Sequence, residues 1–590
     1  MCGIFGHIRL PHHDLNRSRS ALNELIHRGP DQWGEFFDDY VYLGHRRLSI
    51  LDTSENGRQP MTDQSQTIII SVNGEIYNFL ELKKQLVNDY PFKSTSDSEV
   101  LLYGYKEWGI SKLLELIDGM YAAVIYDRIR KKILLFRDRA GIKPLYYGRI
   151  NNFWIWASEL KAIKAFDIKN RLEINNTALY DFLTYRYIPT PKSLYKNIFK
   201  LEPGHYVIID IDSNKIQKKR YWKLNTKEIN LSISIHDAAD ELRHLIRQSV
   251  SEQLMSDVPV GFFLSGGLDS STVVQEASTL SENIKTFSIG FDVSEYDETH
   301  YAQVMADHCN TKHQKAILNR NAAKSLLNNI CRWYDEPFAD SSAFPTYLVC
   351  QYARNEVTVA LSGDGGDEIL GGYQWYKNFP LFPKNAIRKN LLFSLLTSIM
   401  NSIDNDYIHK QFYRLNARLM AFRRGFPGYA KFFSGLTYEE KMLYRHFWQI
   451  PKDYNDYWYF EKFDHPNLPH RTRLQYIDFH TFMHDDVLTK VDRVSMAVSL
   501  EVRVPLLSRE LIEFCFSLPE KIRFKDQQLK GILKSAYQSI LPDTIINRSK
   551  KGFGAPISHW KKQDGKKYSS FQEDILALFG LLPKKKNGIR

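Results

Sequence analysis

Over residues 1–210 short apolar runs alternate with turns. Thr67–Asn73 (TIIISVN), Tyr121–Asp127 (YAAVIYD), Lys132–Arg137 (KILLFR) and Phe153–Ala157 read as strands, and Phe79–Asn88 and Ser98–Trp108 carry helical periodicity. Strands and helices mixed at this density predict an α+β layered domain. Pro189, Pro191, Pro203 and Gly204 then punctuate the chain, before a last strand-like run at Tyr206–Ile211 and the polar stretch Asp212–Lys219. The pattern breaks within roughly 205–235, which places a first domain over 1–212 and a linker over 213–235. From Ile235 longer helices alternate with isolated apolar runs, Val258–Leu264, Lys285–Gly290 and Val357–Leu361. Such alternation predicts a parallel sheet covered by helices over 236–590. Within it, residues 375–480 are aromatic-rich and read as a helical insertion.

Length agrees with two domains, since 590 residues exceed one ordinary core. With 43% hydrophobic and 25% charged residues, the composition is that of a soluble globular protein. Cys2, Cys309, Cys331, Cys350 and Cys515 are too scattered for a disulfide framework and have no zinc-ligand spacing, so a reducing cytoplasm is expected. No secretory leader pattern opens the chain. The run Leu391–Met400 is too short for the ~18–20 residues of a membrane span, and reads as a buried helix despite the preceding Lys384, Arg388 and Lys389. The net charge of +11 raises the question of nucleic acid. The basic residues are interleaved with 68 acidic ones, and only Lys584-Lys585-Lys586 is compact, so no nucleic-acid partner is expected. A nucleotide substrate fits equally well.

Three short segments carry chemistry. Ser265-Gly266-Gly267-Leu268-Asp269-Ser270-Ser271 follows one apolar run and opens a helix. Its glycines permit close backbone approach and the helix N-terminus favours an anion, which predicts phosphate binding without a Walker-type lysine. Ser362-Gly363-Asp364-Gly365-Gly366-Asp367-Glu368 follows another run, and its crowded carboxylates call for a cation. If both loops lie at one sheet edge, Asp269 and Asp367 become natural Mg²⁺ ligands. The third is Cys2. Loss of the initiator methionine leaves a thiol and a free α-amine (pKa about 7.7–8.0) in one residue, which unites nucleophile and base.

Further blocks carry a family resemblance: Cys2-Gly3-Ile4, His27-Arg28-Gly29-Pro30-Asp31, Arg47-Leu48-Ser49-Ile50, Asn73-Gly74-Glu75-Ile76-Tyr77-Asn78, Ser96-Asp97-Ser98-Glu99, Arg137-Asp138-Arg139 and Gly141-Ile142-Lys143-Pro144-Leu145-Tyr146. In this order, and with the two glycine-rich loops, the chain resembles the glutamine-dependent asparagine synthetases, in their longer bacterial form, over nearly its full length. The resemblance implies an N-terminal four-layer α+β sandwich of the N-terminal-nucleophile hydrolase type and a C-terminal α/β sheet of the pyrophosphate-loop ATP type. Cys2 would form a thioester with glutamine, while the Asn73 amide and the Gly74 N–H would stabilise the oxyanion. Arg47 would grip the glutamine α-carboxylate, with Leu48, Ser49 and Ile50 beside it. Glu75 and Asp97 would hold the α-ammonium. In the second half, Ser265, Gly266, Gly267, Asp269 and Ser270 would bind pyrophosphate, Leu264 and Ile289 adenine, and Ser362 and Gly363 the nucleotide. Asp269 and Asp367 would hold Mg²⁺, Asp364 would face the acceptor, and Lys550 would stabilise charge during adenylation. ATP would be a substrate alongside glutamine and aspartate.

Two departures bear on the acceptor. Asp364 stands where shorter members carry glutamate, and Asp335–Ser342 has no arginine where those members have one. Aspartate is the expected acceptor; a cell-wall peptide or a uronic-acid sugar is the alternative. A tRNA-modifying enzyme would share the phosphate loop but have no use for the Cys2 domain, and a silent scaffold would not keep these residues together. The sequence leaves a homodimer open.

Overall fold

Short apolar runs in the first half build two six-stranded sheets. The computed structural model describes residues 2–8, 15–167, 169, 171–226, 229–379, 425–430, 432–434, 436, 438–556, 559–560 and 570–582. The strands are β1 (Cys2–Ile8), β2 (Gln32–Phe37), β3 (Val41–Arg47), β4 (Met61–Thr62), β5 (Ile68–Ile76) and β6 (Gly119–Asp127). They continue with β7 (Lys132–Arg137), β8 (Tyr146–Ile150), β9 (Phe153–Ala157), β10 (Ile198–Lys200), β11 (His205–Asp210) and β12 (Ile216–Arg220). One sheet runs β10-β8-β9-β1-β3-β2 and the other β12-β11-β7-β6-β5-β4.

Side chains of both sheets share one apolar layer, with Ile4, Leu43 and Trp156 from the first and Ile69, Val124 and Leu135 from the second. The opposite face of the first sheet packs on helices Leu15–Asn23, Leu160–Phe166 and Asn176–Tyr185. The second sheet packs on Phe79–Gln85 and Glu99–Leu116. Each fully buried Leu or Ile in these layers contributes about 1.5–3 kcal/mol. All nine residues of β5 are buried, because apolar material lies on both of its faces. Residues 216–220, read from sequence as part of a linker, instead form β12 and pair with β11. Their polarity reflects an exposed edge strand rather than a connection.

The second half is built on β13 (Val260–Phe263), β14 (Lys285–Phe291), β15 (Lys312–Leu318), β16 (Val359–Leu361) and β17 (Glu501–Arg503), ordered β15-β14-β13-β16-β17 and all parallel. The order reverses between β13 and β16, and in such sheets ligands bind at the carboxyl ends of the strands at that switch point. The loops at Ser265 and Ser362 follow these two strands. Strand β17 had no counterpart in the sequence reading, because three residues are too few to show a period.

In the aromatic region the described helices are Gln374–Asn378, Phe426–Ala430, Tyr438–Phe447, Trp458–Lys462 and His470–Phe479. Leu391–Met400 with its preceding basic residues, and Lys584–Lys586, lie outside the described residues. Among the described residues no helix is long and apolar enough to cross a membrane.

The halves share apolar and ionic contacts. Leu48, Ile50, Met120 and Ile142 belong to one buried cluster with Leu242, Leu488 and Leu506. Arg28, wholly buried, donates to both oxygens of Asp492 at 2.9 and 3.0 Å, to Glu159 at 2.7 Å and to the Cys2 carbonyl at 2.9 Å. Arg493 pairs with Glu159 at 2.9 Å and Asp335 at 2.7 Å. Breaking one such buried pair costs about 3–5 kcal/mol, so the relative position of the halves is strongly specified.

Candidate active sites

Cys2 opens β1, and the antiparallel register sets it opposite Arg47, the last residue of β3. It is 6% exposed. Its backbone N–H donates to Asn73 Oδ1 at 2.8 Å, and the Leu48 N–H donates to its thiol. Burial pushes the thiol above its ordinary value, against the pull of the Arg47 charge. Asn73 Nδ2 is buried and makes no hydrogen bond among the described residues, so an amide donor stands unpaired beside the thiol. Gly74 follows with φ +151°, and a Cβ there would lie 1.9 Å from the Met120 carbonyl. Only glycine gives the backbone this path next to Asn73.

Residues 48–54, which follow Cys2's partner, form a shaped loop. Arg47 donates to Gln32 Oε1 (2.7 Å) and to the carbonyls of Leu51 (2.8 Å), Asp52 (2.6 Å) and Ser54 (3.3 Å). The Ser49 N–H donates to Asp31 at 2.8 Å. Arg47 therefore builds the loop wall as well as facing Cys2. Glu75 and Asp97 are both buried, and burial pushes both carboxyls up. Asp97 accepts from the Ile76 N–H at 2.6 Å, and Glu75 lies 3.5 Å from Arg503 of the second half.

The second site is a cavity of about 580 Å³ at the switch point. Leu264, Ser265, Gly267, Asp269, Ser270, Ile289, Ser362, Gly363, Asp364, Asp367 and Lys550 all line it; of the residues expected there, Gly266 alone does not. The two loops touch closely: a Cβ on Gly363 would lie 2.7 Å from the Ser270 nitrogen, so the loops interlock only with glycine there. Ser265 and Ser270 hydroxyls are 3.0 Å apart, and Gly267 N–H donates to Ser265 Oγ at 3.2 Å.

Lys530, which the sequence reading did not single out, sits between the loops and pairs with both Asp269 and Asp367. Lys550 pairs with Asp367 as well. Against burial, which pushes it up, these two ammoniums hold the Asp367 carboxyl well below its usual range. Burial pushes Asp269 up despite Lys530, and its Oδ1 is buried without a hydrogen bond. Lys530 precedes Gly531 with a left-handed backbone (φ 55°), outside any glycine-rich motif, so no local pattern marks it. Farther along the cavity, Asp340 accepts from Ser342 Oγ at 2.5 Å and lies 3.6 Å from Lys490, with Asp364 on the same wall. This ion pair occupies the region where the expected arginine is missing.

Residues 1–222 match the glutamine amidotransferase domain family and 241–578 the asparagine synthase family. Three proteins of Bacillus subtilis (strain 168) are similar over nearly the whole chain. Asparagine synthetase [glutamine-hydrolyzing] 1 is 35% identical over 579 residues, covering 96% of this chain and 88% of its own. Its namesakes 3 and 2 are 29% and 30% identical over 588 residues, covering 95% and 94% of this chain and 87% and 72% of theirs. The chain belongs to the asparagine synthase family of ATP-dependent, amide-forming ligases and carries a glutamine amidotransferase domain.

Proposed function

We propose that the protein is a glutamine-dependent asparagine synthetase in which Cys2 hydrolyses glutamine and the second half amidates ATP-activated aspartate. The observation that carries this reading is the pairing of Cys2 with Asn73: Oδ1 holds the residue 2 nitrogen while Nδ2 is left for a ligand. With Met1 removed that nitrogen is the α-amine, which takes the thiol proton as the thiolate attacks the glutamine amide carbon. Asn73 Nδ2 and the Gly74 N–H receive the developing oxyanion. The collapse of this intermediate releases ammonia and leaves a thioester, and water returns the thiol and glutamate. Arg47 meets the glutamine α-carboxylate; Glu75 and Asp97 meet the α-ammonium.

In the second half an acceptor carboxylate attacks the α-phosphorus of ATP, giving an acyl-adenylate and pyrophosphate. Leu264 and Ile289 flank the adenine, Ser362 and Gly363 the nucleotide, and the Ser265–Ser270 loop the leaving pyrophosphate. Asp269 and Asp367 would hold Mg²⁺: two carboxylates meeting at one ammonium, one with an orphaned oxygen, suit a divalent cation. When bound, Mg²⁺ offsets the charge of the departing pyrophosphate. Lys550 and Lys530 add fixed positive charge at the same place. Ammonia then displaces AMP to give the amide. On this reading the ammonia passes through the interior between the two sites.

The departures at Asp364 and in Asp335–Ser342, which meet on the cavity wall, favour a second reading, in which the acceptor is another carboxylate such as a cell-wall peptide or a uronic-acid sugar. Pyrophosphate release measured with each carboxylate in turn separates the two. Aspartate is expected to stimulate it most; no stimulation by aspartate, with stimulation by another carboxylate, transfers the proposal to that acceptor.

A further inference from the structure

The glutamine-binding loop of the first half is pinned by the second. The Asp257 N–H donates to the Ile50 carbonyl at 3.0 Å, and the Asp52 N–H donates to Asp257 Oδ2 at 2.7 Å. Asp257 stands three residues before β13, the strand that delivers the Ser265 loop. Residues 253–255, just ahead of it, are held by Arg503, whose Nη1 donates to the carbonyls of Gln253 and Met255, each at 2.7 Å. Arg503 is wholly buried, and its Nε donates to Glu501 at 2.7 Å. Its Nη2 makes no hydrogen bond among the described residues and lies 3.5 Å from Glu75, the neighbour of Gly74. The Arg503 carbonyl in turn accepts from the Ser362 N–H at 2.9 Å, the first residue of the other nucleotide loop.

Both nucleotide loops are thus one short connection away from the wall of the Cys2 site, by hydrogen bonds at Asp257 and by a 3.5 Å ion pair at Arg503. One runs through Asp257 to Ile50 and Asp52, the other through Arg503 to Glu75. We propose that Asp257 and Arg503 are positioning residues through which the second half sets the glutamine-binding loop, so that glutamine hydrolysis at Cys2 answers to ATP bound at the distant loops. The inference rests on the two-site reading above. Neither residue touches the reacting atoms. Each acts by fixing backbone atoms of residues 50–52 or the carboxylate beside the oxyanion position. A nucleotide that holds the Ser265 and Ser362 loops in one arrangement favours the loop geometry tied to it, and the influence is reciprocal for the two binding equilibria.

The test compares the full-length parent with Asp257→Ala, Asp257→Asn and Arg503→Lys. Glutamine hydrolysis is measured with and without ATP and Mg²⁺, and acceptor-dependent pyrophosphate release is measured with ammonia as the nitrogen source. Asp257→Ala is expected to raise the KM for glutamine about three- to tenfold, the worth of one hydrogen bond, and to lose the response of hydrolysis to ATP. Its ammonia-driven synthesis stays within about twofold of the parent, and Asp257→Asn, which keeps an acceptor oxygen, restores the KM. Arg503→Lys keeps the charge but not the fork that grips two carbonyls, and is expected to weaken the ATP response in the same direction. An unchanged glutamine KM in Asp257→Ala, an equal loss with ammonia, or a parent whose hydrolysis ignores ATP overturns the inference. A parent that hydrolyses glutamine equally well without Cys2 overturns the two-site reading instead.

Discussion

Replacing Cys2 with alanine is expected to remove glutamine-dependent amide formation by about four orders of magnitude or more, while synthesis from added ammonia survives. The size follows from the chemistry. No other thiol among the described residues lies at the Asn73–Gly74 corner, and an unpaired amide donor without a nucleophile cannot form the thioester. The survival follows from the fold: Cys2 belongs to the first sheet, whereas the 580 Å³ cavity is built on the parallel sheet of the other half. The side chain is small and its loss leaves the Arg28 contact to the residue 2 carbonyl intact. Product formation followed with glutamine and then with ammonium salt checks both arms. Equal loss of the two sinks the division of labour.

The complementary change is Asp367→Asn, expected to lower synthesis from either nitrogen source about a hundred- to thousandfold while glutamine hydrolysis measured without ATP persists. Asp367 sits between Lys530 and Lys550, and those ammoniums keep its carboxyl ionised although it is buried. The amide removes one negative charge, leaving Lys550 without its carboxylate partner and, on the proposed metal role, a poorer ligand for Mg²⁺. Pyrophosphate release with ammonia reports the loss directly, and unaltered release would remove Asp367 from the nucleotide site.

Much of this was legible in the chain. Strands such as Lys132–Arg137 and Phe153–Ala157 emerge with those bounds, because a strand buried on both faces is a short apolar run bounded by polar turns. The same holds for the glycine-rich loops, whose backbone demands are local. What stayed hidden depends on distant partners. Lys530 is an ordinary lysine until the fold brings it to Asp269 and Asp367. Arg28 meets Asp492 across 464 positions, and Arg503 meets Glu75 across a domain interface. The β12 strand failed to announce itself because all five of its residues face water. Arg47 shows the reverse: its place opposite Cys2 follows from register, but its grip on the 51–54 carbonyls is tertiary.

On the proposed reading one chain moves the amide nitrogen of glutamine onto an adenylated carboxylate. The most direct measurement supplies amide-¹⁵N-labelled glutamine, ATP, Mg²⁺ and aspartate, and follows the label together with AMP and pyrophosphate. Labelled asparagine is expected, formed in step with AMP and pyrophosphate, even against unlabelled ammonia in the medium. Label appearing only as free ammonia, or ADP and phosphate in place of AMP and pyrophosphate, would contradict it.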